Sequence, residues 1–137
     1  MNIENLSHAC EIMNLDSAAL FAPIQGIDER YRDAVSAFLE TLVLTDAANI
    51  DPETKERWVP DYNNSKERKW TNWFDLEVHP KNNPSGFRFY DSVCVNAYAI
   101  AVGAGLCFKD SSTARFMGEK HQNVYKRWLS FVKPVGK

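Results

Sequence analysis

Cys107 and His121 are the residue types from which a catalytic thiol dyad is built. A thiol becomes a nucleophile when a neighbouring base removes its proton, and histidine is a common base for this step. Leu106 and Phe108 flank Cys107 with apolar side chains, which is typical of a position inside a core. We therefore expect Cys107 to be a buried thiol and His121 to be a half-buried imidazole. No catalytic residue is predicted.

The histidines and cysteines do not have the spacing of a metal site. Protein ligands of a metal ion recur at fixed separations on rigid elements. His8 and Cys10 are two positions apart, so on a helix their side chains point in different directions. His79 stands alone before Pro80. The sequence predicts neither a bound metal nor a cofactor.

Three carboxylates, those of Asp75, Glu77 and Asp91, fall on neighbouring predicted strands. Paired carboxylates perform acid–base hydrolysis when a cleft holds them at a defined separation. The chain is short for such a cleft, and charges on the solvent face of a sheet are ordinary. A small hydrolase is therefore a minor alternative, and the chain is predicted to be non-enzymatic.

Basic and aromatic side chains are interleaved from residue 66 onward. These residue types build the stacking platforms and basic grooves of nucleic-acid-binding proteins. Acidic residues, including Glu67, interrupt the patch. Nucleic-acid binding by an accessory protein is the alternative function. The residues predicted for it are Lys66, Arg68, Lys69, Trp73, Lys120, Lys126 and Arg127.

A protein-interaction role is the main prediction. Tryptophan, tyrosine and arginine are enriched at binding hot spots, and the residues predicted here are Arg57, Trp58, Tyr62 and Trp73. Residues 1–54 hold ten acidic and two basic side chains, whereas residues 109–137 hold two acidic and seven basic ones. Such polarity steers a complementary partner. It is equally explained by an acidic helix lying beside a basic one.

Helical periodicity appears at both ends of the chain. Residues 1–27 read as a short helix and a connector, and residues 28–50 as a long helix capped by Asp28. Its predicted buried face carries Tyr31, Val35, Phe38 and Leu42. Residues 110–132 read as one C-terminal helix.

Between these helices, residues 51–69 are polar and read as a surface loop. Residues 70–109 are rich in β-branched and aromatic side chains and read as antiparallel strands, two of them at 97–102 and 104–109. The predicted fold is a single α+β domain over residues 1–137, with a small antiparallel sheet of three to four strands and helices packed on one face.

Composition fits this fold class. The chain has 137 residues, of which 45% are hydrophobic and 25% charged, and a net charge of −2. No run of apolar residues is long enough to span a bilayer, and the N-terminal residues do not read as a secretory signal. Three cysteines without regular spacing read as reduced thiols. We expect a cytoplasmic protein with no membrane partner.

The sequence resembles a family of small uncharacterised proteins encoded by phages and mobile elements of Bacteroidetes, over residues 28–130. The resemblance is carried by Trp58-Val59-Pro60-Asp61-Tyr62-Asn63, Lys69-Trp70, Trp73-Phe74, Gly86-Phe87-Arg88-Phe89, Val102-Gly103, Leu106-Cys107-Phe108-Lys109, Ala114, Phe116-Met117-Gly118 and Tyr125.

The resemblance implies a setting rather than a set of catalytic residues. It implies an accessory protein in the bacterial host cytoplasm that binds a host or phage protein, for instance as an anti-defence inhibitor of a host factor. Family members commonly carry an aromatic residue where His121 stands, which favours a packed His121 and a tolerated His121→Phe change. They commonly carry a basic residue where Gly105 stands.

Overall fold

The computed structural model describes residues 1–95 and 104–131. Within these residues, five α-helices and two strands follow one another, with short 3-10 turns at Ala22–Gly26 and Ala104–Leu106. Their bounds are α1 Leu6–Met13, α2 Ser17–Phe21, α3 Glu29–Ala48, β1 Lys69–Asp75, β2 Arg88–Val95, α4 Ser111–Lys120 and α5 Gln122–Leu129. The predicted α+β class is confirmed.

The sheet has two antiparallel strands within the described residues. The predicted strand at 104–109 is wrong, because Ala104–Leu106 forms a 3-10 turn and only Phe108 makes a β-bridge, to Trp70. The predicted strand at 97–102 lies outside the described residues. A sheet of three to four strands is therefore not confirmed.

Helix α3 begins as predicted, since the Asp28 carboxylate accepts a hydrogen bond from the Arg30 N–H at 2.9 Å. Its predicted buried face is wrong: Tyr31, Val35 and Phe38 are exposed. The packed face carries mainly small residues at three- and four-residue steps, which let α1 and α5 approach the helix closely. These residues are Ala37, Thr41, Leu44 and Ala48.

The predicted C-terminal helix is broken at His121 into α4 and α5. The His121 imidazole nitrogen Nε2 lies 2.7 Å from the Ile3 carbonyl oxygen, and both residues are buried. This contact ties the N-terminal segment to the junction between the two helices. The hydrophobic core lies between α1, α3 and α4, with Phe108 and Met117 fully enclosed.

Helix α4 contacts both strands of the sheet, and α5 follows it along the same layer. The rings of Phe74 in β1 and Tyr125 in α5 have their centres 4.5 Å apart. Residues 51–68 hold turns rather than a helix or strand, as the sequence predicts. No helix in the described part of the chain is long and apolar enough to cross a membrane.

Candidate binding site

The four residues predicted to contact a protein partner lie in three separate places. Arg57 and Trp58 line a groove of about 440 Å³ beside the C-terminal end of α3. Arg57 is ion-paired with Asp46 of that helix. Tyr62 packs inward, with its hydroxyl 3.2 Å from the Cys107 sulfur. Of these four residues, Trp73 lies on the sheet, where its side chain is exposed.

Lys69 was predicted to contact nucleic acid, but this residue has no exposed surface. Its ammonium group donates hydrogen bonds to the carbonyl oxygens of Asn64 (3.2 Å) and Glu67 (3.0 Å). The Glu67 carboxylate lies 3.5 Å away, and the Tyr62 ring centre 5.1 Å away. A buried ammonium cannot reach a phosphate, so Lys69 is a structural residue.

Basic side chains of the C-terminal helices are paired with acidic side chains of the N-terminal half. Arg127 lies 2.8 Å from the Asp33 carboxylate and 3.3 Å from that of Glu40. Lys120 lies 3.1 Å from Glu4. The Asp33 carboxylate raises the pKa of Arg127 further. The charge asymmetry of the sequence is thus satisfied within the molecule at these positions.

Lys66, Arg68 and Lys126, three of the basic residues predicted to contact nucleic acid, are exposed. They lie on different elements, since the first two precede β1 and the third belongs to α5. The predicted basic surface therefore lacks Lys69, which is buried. Two of its helical members, Lys120 and Arg127, are engaged in ion pairs.

Cys107 and His121 are engaged by different partners, Tyr62 and Ile3. Burial raises the pKa of the Cys107 thiol, and burial lowers the pKa of His121. Both shifts favour neutral side chains, whereas a catalytic pair needs a thiolate and an imidazolium. The geometry accordingly gives no support to a thiol nucleophile.

The carboxylates considered for hydrolysis have separate cationic partners. Asp75 lies 3.3 Å from the Arg88 guanidinium. Asp91 lies 2.7 Å from that of Arg115. Among residues 1–95 and 104–131, no group of three metal-ligating side chains is close enough to hold an ion.

An open cleft of about 550 Å³ runs along β1 and faces α5, and we call it the edge cleft. It is lined by residues 71–76, Tyr90, Leu106, Tyr125, Trp128 and Leu129. The lining is mainly aromatic and aliphatic, which is the composition of ligand and peptide sites.

A β-bulge shapes the outer rim of the edge cleft. Trp73 pairs with Asp91 while Phe74 pairs with Phe89, so Tyr90 is an extra residue in β2. A bulge turns a side chain away from the regular alternation of its strand. Trp73 keeps 53% of its surface exposed and Tyr90 keeps 61%. Two large aromatic side chains thus stand in solvent beside an apolar cleft.

The opposite wall of the edge cleft is held by α3. The Trp128 indole N–H donates a hydrogen bond of 2.8 Å to the Thr41 hydroxyl. The Phe38 ring packs edge-on against Trp128, with 5.0 Å between ring centres. Both contacts fix the indole orientation, so this wall is formed before any ligand arrives.

Buried polar groups form the floor. The Ser92 hydroxyl donates to the Asn72 side-chain oxygen at 2.7 Å. Burial raises the pKa of Tyr125 to about 12, although the neighbouring Asn72 and Thr45 side chains oppose the shift. Among the described residues, the buried Asn72 amide nitrogen has no partner in hydrogen-bond geometry. A neutral, tightly held floor results.

The sequence analysis proposed Trp73 as a contact residue but did not predict the edge cleft beside it. The sequence cannot reveal the bulge at Tyr90, because it depends on the register between two strands. Trp128 lies in a helix predicted from periodicity, where it reads as an ordinary core residue. No family model, curated protein or solved structure matches this chain.

Proposed function

We propose that this chain is a non-enzymatic protein-interaction module whose edge cleft holds a segment of a partner protein. The exposed Trp73 and Tyr90 at the rim of the cleft carry the proposal. Large aromatic side chains beside a preformed apolar pocket are typical of binding hot spots. Trp128 supplies a third aromatic surface, already fixed by Thr41.

The charges of the edge cleft support a protein segment over nucleic acid. Among the described residues, the one charged residue in its lining is Asp75, and Arg88 pairs with that carboxylate. A nucleic-acid site needs cations that track the phosphates. The alternative of nucleic-acid binding therefore depends on Lys66, Arg68 and Lys126, which lie outside the cleft lining.

The setting of this function is part of the proposal. The family resemblance supports an accessory protein of a phage or mobile element that acts in the bacterial host cytoplasm. A module with this preformed cleft would act there by occupying a surface of a host protein. An anti-defence inhibitor is one such role.

Affinity capture from bacterial host lysate tests the proposal. The bait is the full chain, compared with the double variant Trp73→Ala, Tyr90→Ala and with Val59→Ala as a matched exposed apolar control. We expect a protein that survives nuclease treatment, is lost from the double variant and is retained by the control. Capture that is lost on nuclease treatment, or that is equally strong with the double variant, would contradict the proposal.

A further inference from the structure

The two edges of β1 are occupied differently. One edge pairs with β2 along the whole strand, from Lys69 to Asp75. The other edge makes a single antiparallel bridge, in which Trp70 and Phe108 exchange both backbone hydrogen bonds, at 2.9 and 2.7 Å. Within the described residues, no strand continues this second edge beyond the bridge.

Strand geometry fixes which backbone groups face the second edge. Successive residues direct their N–H and C=O groups to opposite edges, so every second residue faces the same edge. Since Trp70 faces Phe108, the N–H and C=O groups of Asn72 and Phe74 also face that edge. The edge cleft lies along the strand at these residues.

The bridging segment does not follow β1 toward the cleft. Leu106, two residues before Phe108, belongs to the 3-10 turn Ala104–Leu106 and lines the cleft with its side chain. The turn removes the chain from the position that a longer strand would take. Among residues 1–95 and 104–131, the backbone donors and acceptors of Asn72 and Phe74 are left facing an apolar cleft, which is the arrangement that accepts an added strand.

We infer that the partner segment binds as an extended strand that pairs with β1 at Asn72 and Phe74 and continues the line begun by Phe108. This inference deepens the proposed function and depends on it. The occupant is an extended, uncharged protein segment with bulky apolar side chains at alternate positions. Main-chain hydrogen bonds supply its affinity, and its alternate side chains fill the cleft between Trp73 and Trp128.

Three features select this occupant. Continuity with the Trp70–Phe108 bridge gives the strand a direction, antiparallel to β1. The Asp75 carboxylate is already matched by Arg88, so charged side chains gain little in the cleft. No described strand pairs with Asn72 and Phe74 on this edge, and their backbone groups favour a strand over a polyproline helix, because a polyproline helix forms no sheet ladder.

Amide hydrogen exchange in the free protein is the first test. The Trp70 amide is hydrogen-bonded to Phe108 and should exchange slowly. We expect the Asn72 and Phe74 amides to exchange faster than that of Trp70. Slow exchange at all three positions would overturn the inference, because the edge would already have a partner within the chain, for instance residues 97–102, which the sequence predicts to be a strand.

A random peptide library selected on the full chain is the second test. The best binders are resynthesised with single N-methyl groups, each of which removes one backbone donor. In an added strand only alternate amides face β1, so we expect N-methylation to cost about tenfold to a hundredfold in affinity at every second position. The intervening positions should tolerate it. Bound peptide should also slow exchange at Asn72 and Phe74.

The outcomes separate the inference from the proposed function. Peptides that require Trp73 and Tyr90 but tolerate N-methylation at every position would overturn strand addition while supporting the interaction cleft. Selected peptides that bind the Trp73→Ala, Tyr90→Ala variant equally well would contradict both. The Val59→Ala variant controls for loss of an exposed apolar side chain elsewhere.

Discussion

The Lys69 ammonium group lies 5.1 Å from the centre of the Tyr62 ring, and Lys69 has no exposed surface. The same ammonium donates to two carbonyl oxygens of the loop that precedes β1. Tyr62 continues the contact inward, with its hydroxyl beside the Cys107 sulfur. One buried cation thus fastens residues 62–67 to the start of the sheet.

Replacing Lys69 should therefore destabilise the fold. Lys69→Ala leaves the Glu67 carboxylate and two carbonyl oxygens of the loop without this donor. We expect the free energy of unfolding to fall by about 2–4 kcal/mol, in the range of other broken buried ion pairs. Urea denaturation followed by tryptophan fluorescence measures it.

The exposed Lys66 provides the matched control. Lys66→Ala should change stability by less than about 0.5 kcal/mol, as is usual for surface positions. Equal stability of the two variants would show that the Lys69 clamp contributes nothing. A charge reversal at Lys69 would report folding rather than nucleic-acid binding.

Gly118 is a point of close approach between α4 and the sheet. A Cβ atom at this position would lie 2.5 Å from the Phe89 ring and 2.9 Å from Asn72 Cγ. Glycine to alanine normally stabilises a helix interior by about 1 kcal/mol. Here we expect Gly118→Ala to destabilise by about 1–3 kcal/mol through overpacking.

Thermal denaturation of Gly118→Ala beside Ser112→Ala tests this reversal. Ser112 is exposed on the same helix, so its change to alanine should be nearly neutral. A rise in the melting temperature of Gly118→Ala would mean that Phe89 and Asn72 can move aside. The floor of the edge cleft would then be softer than the contacts at Asn72 indicate.

Local signals predicted much of the fold. The Asp28 cap, the β-forming residues of β1 and β2 and the period of the last helices depend on neighbours in sequence, and each indicated the correct element type. The strand predicted at 104–109 was wrong. The buried face of α3 could not be predicted in this way. Its aromatic residues and its small residues both recur with helical spacing. Packing against α1 and α5 determines which of the two sets is buried.

The site was harder to predict for the same physical reason. Lys69 reads as a surface base because its burial depends on loop carbonyl groups, which any residue type supplies. Arg127 reads as part of a basic patch because Asp33 and Glu40 are far away in sequence. Trp73 was proposed as a contact residue from its residue type alone. Prediction of the cleft beside it would have required the strand register and the helix packing.

The His121 contact changes an expectation drawn from the resemblance. Nε2 lies 2.7 Å from the Ile3 carbonyl oxygen, and a phenylalanine would leave that buried carbonyl without its donor. We now expect His121→Phe to lower stability by about 1–2 kcal/mol at neutral pH. Denaturant titration of this variant beside Asn123→Ala, an exposed position on α5, measures the loss.

The same residue should give stability a pH dependence. Burial lowers the pKa of His121 below its ordinary value of 6.5, against the Ile3 carbonyl and the Glu40 and Glu4 carboxylates, while Lys120 adds to the lowering. The unfolded chain then binds the proton more tightly than the folded one. Stability is full above about pH 6.5 and falls as the pH drops toward the folded pKa.

Unfolding free energies measured between pH 8 and pH 5 should separate His121 from other groups. The free energy of unfolding of the wild type should decrease as the pH drops through this window. In His121→Phe the decrease should be smaller, because the contribution of the imidazole is removed. A variant curve that stays parallel to the wild type would show that His121 titrates alike in both states. Asn123→Ala offers a control, since this exposed position on α5 carries no ionisable side chain and its change should leave the slope unchanged.

Arg127 distinguishes internal pairing from a basic binding surface. It contacts Asp33 and Glu40 at 2.8 and 3.3 Å, so Arg127→Ala should cost about 0.5–1 kcal/mol at low salt and less at high salt. Lys126→Ala, the exposed neighbour, should leave stability unchanged in both conditions. Denaturation of the two variants at low and high ionic strength tests this. If Arg127→Ala is as neutral as Lys126→Ala at low salt, the acidic and basic halves are not held together by this pair, and Arg127 returns to the candidates for partner binding.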